Sequence, residues 1–273
     1  MPDPIAQKMQ QGVDKGVFPG AVLLVLHKGQ TVHHAAYGFV CLVPEREPAT
    51  VDTIYDLASL TKPIATATAV ALLVTDGKLG LDDLLEKFVP ELTQAELRKA
   101  TIRHLLNHSS GLPAWRPFYE RIVPDGRTLR DRPLSDRRAA IYDAIHREPL
   151  VEPVGGRCVY SDLGFILLGE ILERVTKQEW SAFCHGALFP RLGASDMFYM
   201  SESGPSTEIS LTGRRFVATE QDDWRGRMIQ GEVHDENAAV MGGVSAHAGL
   251  FGTAEAVARA VSPWLAAVRG ESS

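Results

Sequence analysis

The chain predicts an α+β fold, an antiparallel sheet flanked by helices with a mostly helical subdomain beside it. Three observations carry this reading. Two strand-like runs, residues 21–26 and 31–39, flank the turn-forming His27-Lys28-Gly29-Gln30 and read as a hairpin. From Leu81 onward the texture is helical, punctuated by Pro and Gly. The order of hairpin and long helix, helical insertion, then return is that of a mixed sheet domain with a helical neighbour. With 273 residues, 45% apolar and 23% charged, there is enough chain to bury a substantial core.

Each element follows from local signals. Residues 5–15 form a short amphipathic helix that stops at Gly16. The run 21–26 is apolar throughout, so both of its faces should be covered. After a Pro/Glu-rich loop (44–48), a helix starts near Ser59 and stops near Gly77. Residues 81–88 and 101–107 are short amphipathic pieces, with Thr101 placed to cap the second. The stretch 113–133, rich in Arg, Asp and Pro, reads as an extended surface loop. Helices follow at 136–146, 163–175 and 180–189. Residues 201–228 are polar, with one irregular strand around 211–219. Thr253 caps a last helix, 254–268, interrupted at Pro263, and no strand reads after Val244. The whole, 1–273, is one domain: 1–80 and about 229–273 make the α/β part, and 81–228 the mostly helical part.

A formal charge of −6 argues against nucleic-acid binding and docking on anionic membranes. The longest apolar stretches, 21–26 and 64–74, fall short of a membrane span. The start, Met-Pro-Asp-Pro-Ile-Ala, has no basic residues leading into an apolar core. The expected location is therefore cytoplasmic, or periplasmic if a leader has been removed. Cys41, Cys158 and Cys184 are odd in number and widely spaced, which suits free thiols and supports neither a zinc site nor a redox dithiol.

The chemistry-bearing stretch is Asp56-Leu57-Ala58-Ser59-Leu60-Thr61-Lys62, which opens an Ala-rich helix. Residues i and i+3 share a helix face, so the Lys62 ammonium can reach the Ser59 hydroxyl. A serine in the first turn also feels the positive end of the helix dipole, which favours an alkoxide-like nucleophile. Alone, Ser-x-x-Lys is a weak signal. Three further segments occur in order: Leu-Leu-Asn-His-Ser-Ser-Gly-Leu-Pro at 105–113, Val-Gly-Gly-Arg-Cys-Val-Tyr-Ser-Asp-Leu-Gly-Phe at 154–165, and Met-Gly-Gly-Val-Ser-Ala-His-Ala-Gly-Leu-Phe-Gly-Thr at 241–253.

With these residues the chain resembles the penicillin-recognising serine hydrolases, which include class C β-lactamases, DD-peptidases and related esterases. The resemblance covers roughly residues 5–260. Ser59-x-x-Lys62 matches the first motif. Tyr160-Ser161-Asp162 matches the class C-like Tyr-x-Asn, with Asp in place of Asn, and 105–112 matches the loop between them. The resemblance implies that Ser59 is acylated and that Lys62 keeps positive charge beside Ser59 and Tyr160. Tyr160 would act as, or share, the general base, and the Ser59 N–H would supply half of an oxyanion hole.

For the third motif, Lys-Thr-Gly or His-x-Gly, the candidate is His247-Ala248-Gly249. Asp162, His247 and Gly249 are therefore the candidate substrate-binding residues. In the family, strands after the third motif pair with the N-terminal strands. None reads here, so the sheet is expected to be incomplete at the C-terminus, with an unpaired apolar edge that invites self-association. A carboxylate at 162 can only accept hydrogen bonds, which weakens the case for β-lactam hydrolysis and favours another acyl substrate. The implied activity is a serine hydrolase working through an acyl-enzyme on small esters or amides, of esterase, β-lactamase or D-alanyl carboxypeptidase type. No cofactor and no metal are expected. The alternative is a catalytically weak or inactive acyl- or penicillin-binding domain that lacks a complete third motif.

Competing signals are thinner. His104 and His108 have the i, i+4 spacing of a helical metal pair, but Leu105 stands where a zincin glutamate belongs. His234-Asp235-Glu236 lacks the Pro-Cys-x-x-Cys of zinc deaminases, so 233–237 is read as cleft rim with a catalytic role left open. His33-His34 lies on a strand and points to opposite faces, and 121–147 reads as a solvated face or cleft lid.

Overall fold

Asp3 caps the first helix: its side chain accepts the Ile5 N–H at 2.9 Å, and Pro4 starts helix α1 (Pro4–Asp14). In the computed structural model, residues 3–206 and 210–270 are described. The hairpin β1 (Gly20–His27) and β2 (Gln30–Cys41) turns through Lys28 and Gly29, both at positive φ, which matches the twist of the strands. β3 (Glu47–Pro48) adds to β2, giving a sheet of order β1-β2-β3.

A second sheet has order β4-β9-β5-β6, from β4 (Tyr55–Asp56), β5 (Phe198–Ser201), β6 (Gly204–Pro205) and β9 (Leu250–Gly252). β7 (Ala218–Asp222) and β8 (Arg227–Gln230) form a separate ribbon. The helical chain follows β4: a continuous helical run from Ala58 that ends in α2 (Thr68–Thr75), then α3 (Ala95–Arg98), α4 (Ile102–Leu106), α5 (Phe118–Ile122), α6 (Leu134–His146), α7 (Asp162–Thr176) and α8 (Trp180–Phe183). α9 (Glu236–Val240) and α10 (Ala254–Val268) complete the helices.

The core is built around α7, whose residues Leu163 through Leu172 are all buried, so this helix is apolar on every side rather than along one stripe. It packs on α4, α6, α8 and the helical turn that carries Lys62. At Gly169 a Cβ would come within 2.7 Å of the Ala246 methyl, so the absent side chain lets α7 approach the segment that leads into β9.

Several expectations need correction. β9 is a strand after Val244, and its brevity hid it: three residues suffice because it is central, pairing with β4 on one side and β5 on the other. β5 to β7 lie inside the stretch 81–228 expected to be mostly helical and β8 straddles its end; within that stretch the helices stop at Leu188. Residues 113–133 contain α5 and a 3₁₀ turn, and Phe118 and Val123 reach the core. Arg137, within the expected solvated face, is 1% exposed and grips Glu202 with two 2.7 Å bonds. α10 runs through Pro263 without interruption.

The helix Ala58–Thr75 is long and apolar enough by composition to cross a bilayer, contrary to the expectation above. Its Ile64, Ala65, Ala69, Val70 and Leu73 are buried in the protein core. The apolar β1 is only half-buried rather than covered on both faces, and no described strand pairs with its outer edge.

Candidate active site

Ser59 sits where β4 passes into the helix. Asp56 ends the strand, and its carboxylate accepts the N–H of Ala58 at 2.8 Å and of His234 at 2.8 Å. Ala58 adopts φ 46°, a left-handed conformation that costs on the order of 1–3 kcal/mol and turns Ser59 out to solvent. The chain then winds through a 3₁₀ turn (Ala58–Leu60) and a π turn (Lys62–Ala67) before settling into α2. Irregular helical turns of this kind are frequent at functional sites.

Lys62, only 3% exposed, points back at the serine. Its Nζ donates to Ser59 Oγ at 3.0 Å and to the His247 carbonyl at 3.0 Å, and lies 2.6 Å from Asp162 Oδ1. Two of the ammonium donors are thus hydrogen-bonded, and the charge is balanced by the Asp162 carboxylate.

The segment 246–250 is fastened along the nucleophile helix. Thr66 Oγ1 donates to the Ala246 carbonyl at 2.5 Å, the Leu250 N–H donates to Thr61 Oγ1 at 3.1 Å, and the Leu57 N–H donates to the Leu250 carbonyl at 2.8 Å. Thr61, Lys62 and Thr66 thus form one polar seam of an otherwise apolar helix.

His247 is 1% exposed and uses both ring nitrogens, Nδ1 with Ser245 Oγ at 2.7 Å and Nε2 with Asp235 Oδ1 at 3.0 Å. The ring locks the loop, and the backbone carbonyl is what reaches Lys62. Gly249 is buried behind the cleft at φ 99°, where a Cβ would stand 2.6 Å from the Gly243 carbonyl. It shapes the turn into β9 and does not line the cleft.

The second motif is held by the Leu-Leu-Asn-His-Ser-Ser-Gly-Leu-Pro loop. The Ser161 N–H donates to His108 Nδ1 at 3.0 Å, Ser161 Oγ donates to the Pro113 carbonyl at 2.7 Å, and the Asp162 N–H donates to the Ala114 carbonyl at 2.8 Å. Ser161 also caps α7, accepting the Gly164 N–H. Burial first, and then the Lys62 charge, push the His108 pKa down, so the ring stays neutral and its Nδ1 is free to accept. His108 packs against Tyr160 with centroids 4.5 Å apart and the rings tilted by 34°. The Tyr160 ring presents its face to Lys62 Nζ at 5.0 Å, a cation–π contact. Its hydroxyl makes no hydrogen bond among the described residues, and the side chain is 52% exposed.

Ser59, Asp162 and His247 line a cleft of about 170 Å³ with Asp56, Ala58, His234, Asp235 and Ala248. Asp235 is pulled two ways. Burial raises its pKa, but the His247 charge and hydrogen bond, the Ala238 N–H and the Lys62 ammonium outweigh this and hold it at about 2. Burial, only partly offset by the two N–H donors, raises Asp56. Among the described residues no group of three or more His, Cys, Asp or Glu could hold a metal; His104 instead closes a capping box with Thr101.

The Beta-lactamase family model matches residues 5–272. The chain belongs to the β-lactamase family. It is 32% identical over 263 residues to a protein of Escherichia coli O157:H7 provisionally named D-alanyl-D-alanine carboxypeptidase, covering 89% of this chain and 59% of that one. It is 31% identical over 280 residues to the N-acetylmuramyl-L-alanine amidase of Bacillus subtilis strain 168, covering 92% of this chain and 61% of that one. The chain therefore spans about three-fifths of the length of these relatives. In fold it resembles a class C β-lactamase of Rhodobacter sphaeroides, with TM-score 0.69 and 20% identity over 93% of this chain and 63% of that one.

Within this family site, sequence reasoning missed Asp56, whose signal was an acidic residue just before a helical turn, whereas Asp235, which also lines the cleft, falls in the stretch 233–237 read as cleft rim. The seam residues Thr61 and Thr66 carried a weaker signal, hydroxyls inside an apolar helix.

Proposed function

We propose that this chain carries the nucleophilic site of a serine amidase that cleaves small amides of bacterial cell-wall peptides through an acyl-enzyme. The observation that supports it most is the buried Lys62 ammonium 3.0 Å from the Oγ of Ser59, which lines the cleft. Ser59 Oγ attacks the amide carbonyl, the developing oxyanion sits toward the Ser59 N–H, the amine departs with a proton, and water then releases the acyl group. That N–H accepts no other task among the described residues. The names of the two relatives, a D-alanyl-D-alanine carboxypeptidase (a provisional name) and an N-acetylmuramyl-L-alanine amidase, both describe hydrolysis of amide bonds, which favours amides over esters.

The alternative, an acyl-binding domain with little turnover, draws on the His247 ring, whose nitrogens are both engaged and unavailable to substrate. Incubating the protein with N-acetylmuramyl-L-alanine and with a D-alanyl-D-alanine peptide separates the readings by product mass. Release of L-alanine or D-alanine that stops in Ser59→Ala supports the amidase. A stable adduct on Ser59 without turnover supports the binding domain, and neither product nor adduct contradicts both.

A further inference from the structure

Resting on the serine-hydrolase reading above, we propose that Asp162, acting through Lys62, is the proton acceptor for Ser59, and that the Tyr160 phenol is not. Lys62 enters the reaction as an ammonium that donates to Ser59 Oγ and the His247 carbonyl and forms an ion pair with Asp162 Oδ1 at 2.6 Å, so it cannot itself begin as a base. Of those three partners only Asp162 can receive a proton and remain stable. Its Oδ1 is buried and accepts no hydrogen bond among the described residues, which leaves the Lys62 ammonium as its ion-pair partner. Tyr160 offers Lys62 the face of its ring, and its hydroxyl bonds to nothing described.

The surroundings fix this division. Neutral His108 pins the Ser161 N–H and packs against the Tyr160 ring, while the Asp162 N–H is anchored to the Ala114 carbonyl. Asp162 is thereby held at the ammonium with Tyr160 in the solvent-exposed position.

The proton inventory closes. As Ser59 Oγ bonds to the carbonyl carbon and the π pair moves onto oxygen, Lys62 Nζ hands a proton to Asp162 Oδ1 and the nitrogen lone pair so freed takes the Oγ proton. Lys62 remains an ammonium and Asp162 becomes a neutral acid. When the tetrahedral adduct collapses, the C–N bond breaks, Lys62 gives a proton to the departing nitrogen, and Asp162 returns its proton to Lys62. The arrangement reaches through a second residue, so Asp162 is a positioning residue for the serine rather than a group that touches it. The other titratable groups facing the pair are His108, Tyr160, Asp235 and His247.

The test is the pre-steady-state acylation burst with p-nitrophenyl acetate, a neutral ester, followed from pH 5 to 9 with folding checked by circular dichroism. Asp162→Asn is expected to slow the burst by about 100-fold or more and to alter the acid limb of its pH profile, with KM little changed. Asp162→Glu is expected to restore part of the rate, and Tyr160→Phe to stay within about threefold of wild type. The resemblance puts Asn at this position, so the competing account expects Asp162→Asn to be as fast as wild type or faster. That result overturns the proposal, as does a hundredfold loss in Tyr160→Phe. A wild-type protein that forms no adduct at Ser59 overturns the serine-hydrolase reading itself, whereas an adduct that forms equally fast in Asp162→Asn overturns this inference alone.

Discussion

Lys62 and Tyr160 are close neighbours, 5.0 Å from ammonium to ring centroid, yet one is 3% exposed and the other 52%. Lys62 belongs to a wall made by the nucleophile helix and the 246–250 segment, tied across by side chain to backbone. Tyr160 belongs to a wall held from behind by a loop, with its own hydroxyl unbonded among the described residues. A motif residue marks a position in the chain; whether it engages its partner is decided by what packs behind it. The engaged wall should therefore be sensitive to small changes, and the exposed one tolerant.

Gly249→Ala strikes the tied wall hardest. Its φ of 99° and the 2.6 Å approach to the Gly243 carbonyl leave no room for a methyl, so urea unfolding should show a loss of about 3 kcal/mol. A loss under about 0.5 kcal/mol would mean that the turn into β9 is looser than described.

Asp235→Asn comes next and depends on pH. The carboxyl is held at about 2 in the folded protein against an ordinary 3.8, so its ionised form favours the fold. That contribution, roughly 2 kcal/mol, is fully present above the ordinary value and is lost as pH falls toward about 2. The gap in urea midpoint between wild type and Asp235→Asn should be constant above about pH 5 and should close between about pH 4 and 2. A gap that widens on acidification would contradict the pairing with His247.

Tyr160→Phe should do least: with an unbonded, half-exposed hydroxyl, stability should change by no more than about 0.5 kcal/mol.

The contrast also explains what the sequence shows and hides. The hairpin, the nucleophile helix, α7 and the capping threonines at 101 and 253 were legible because each carries a local signal of period, cap or turn. β9 was not, because its three residues are strand only by virtue of their neighbours β4 and β5. The Ser59–Lys62 contact was legible from spacing on one helix, and the structure brings Asp162 to the same ammonium. The side-chain role expected of His247 was not legible. A ring folded back onto Ser245 and Asp235, with only the carbonyl turned to Lys62, depends on tertiary placement of residues far apart in the chain. β1 shows the opposite failure: its composition asks for cover on both faces, yet the described chain leaves its residues half-buried and one edge unpaired.

The central claim is that Ser59, set on a strained turn beside a buried ammonium, is the nucleophile. Treating the folded protein with a fluorophosphonate and mapping the adduct by peptide mass tests it most directly. One adduct on Ser59, absent from Ser59→Ala, is the expected result; a folded wild type that stays unlabelled, or carries its label on Ser245 or another residue, would contradict it.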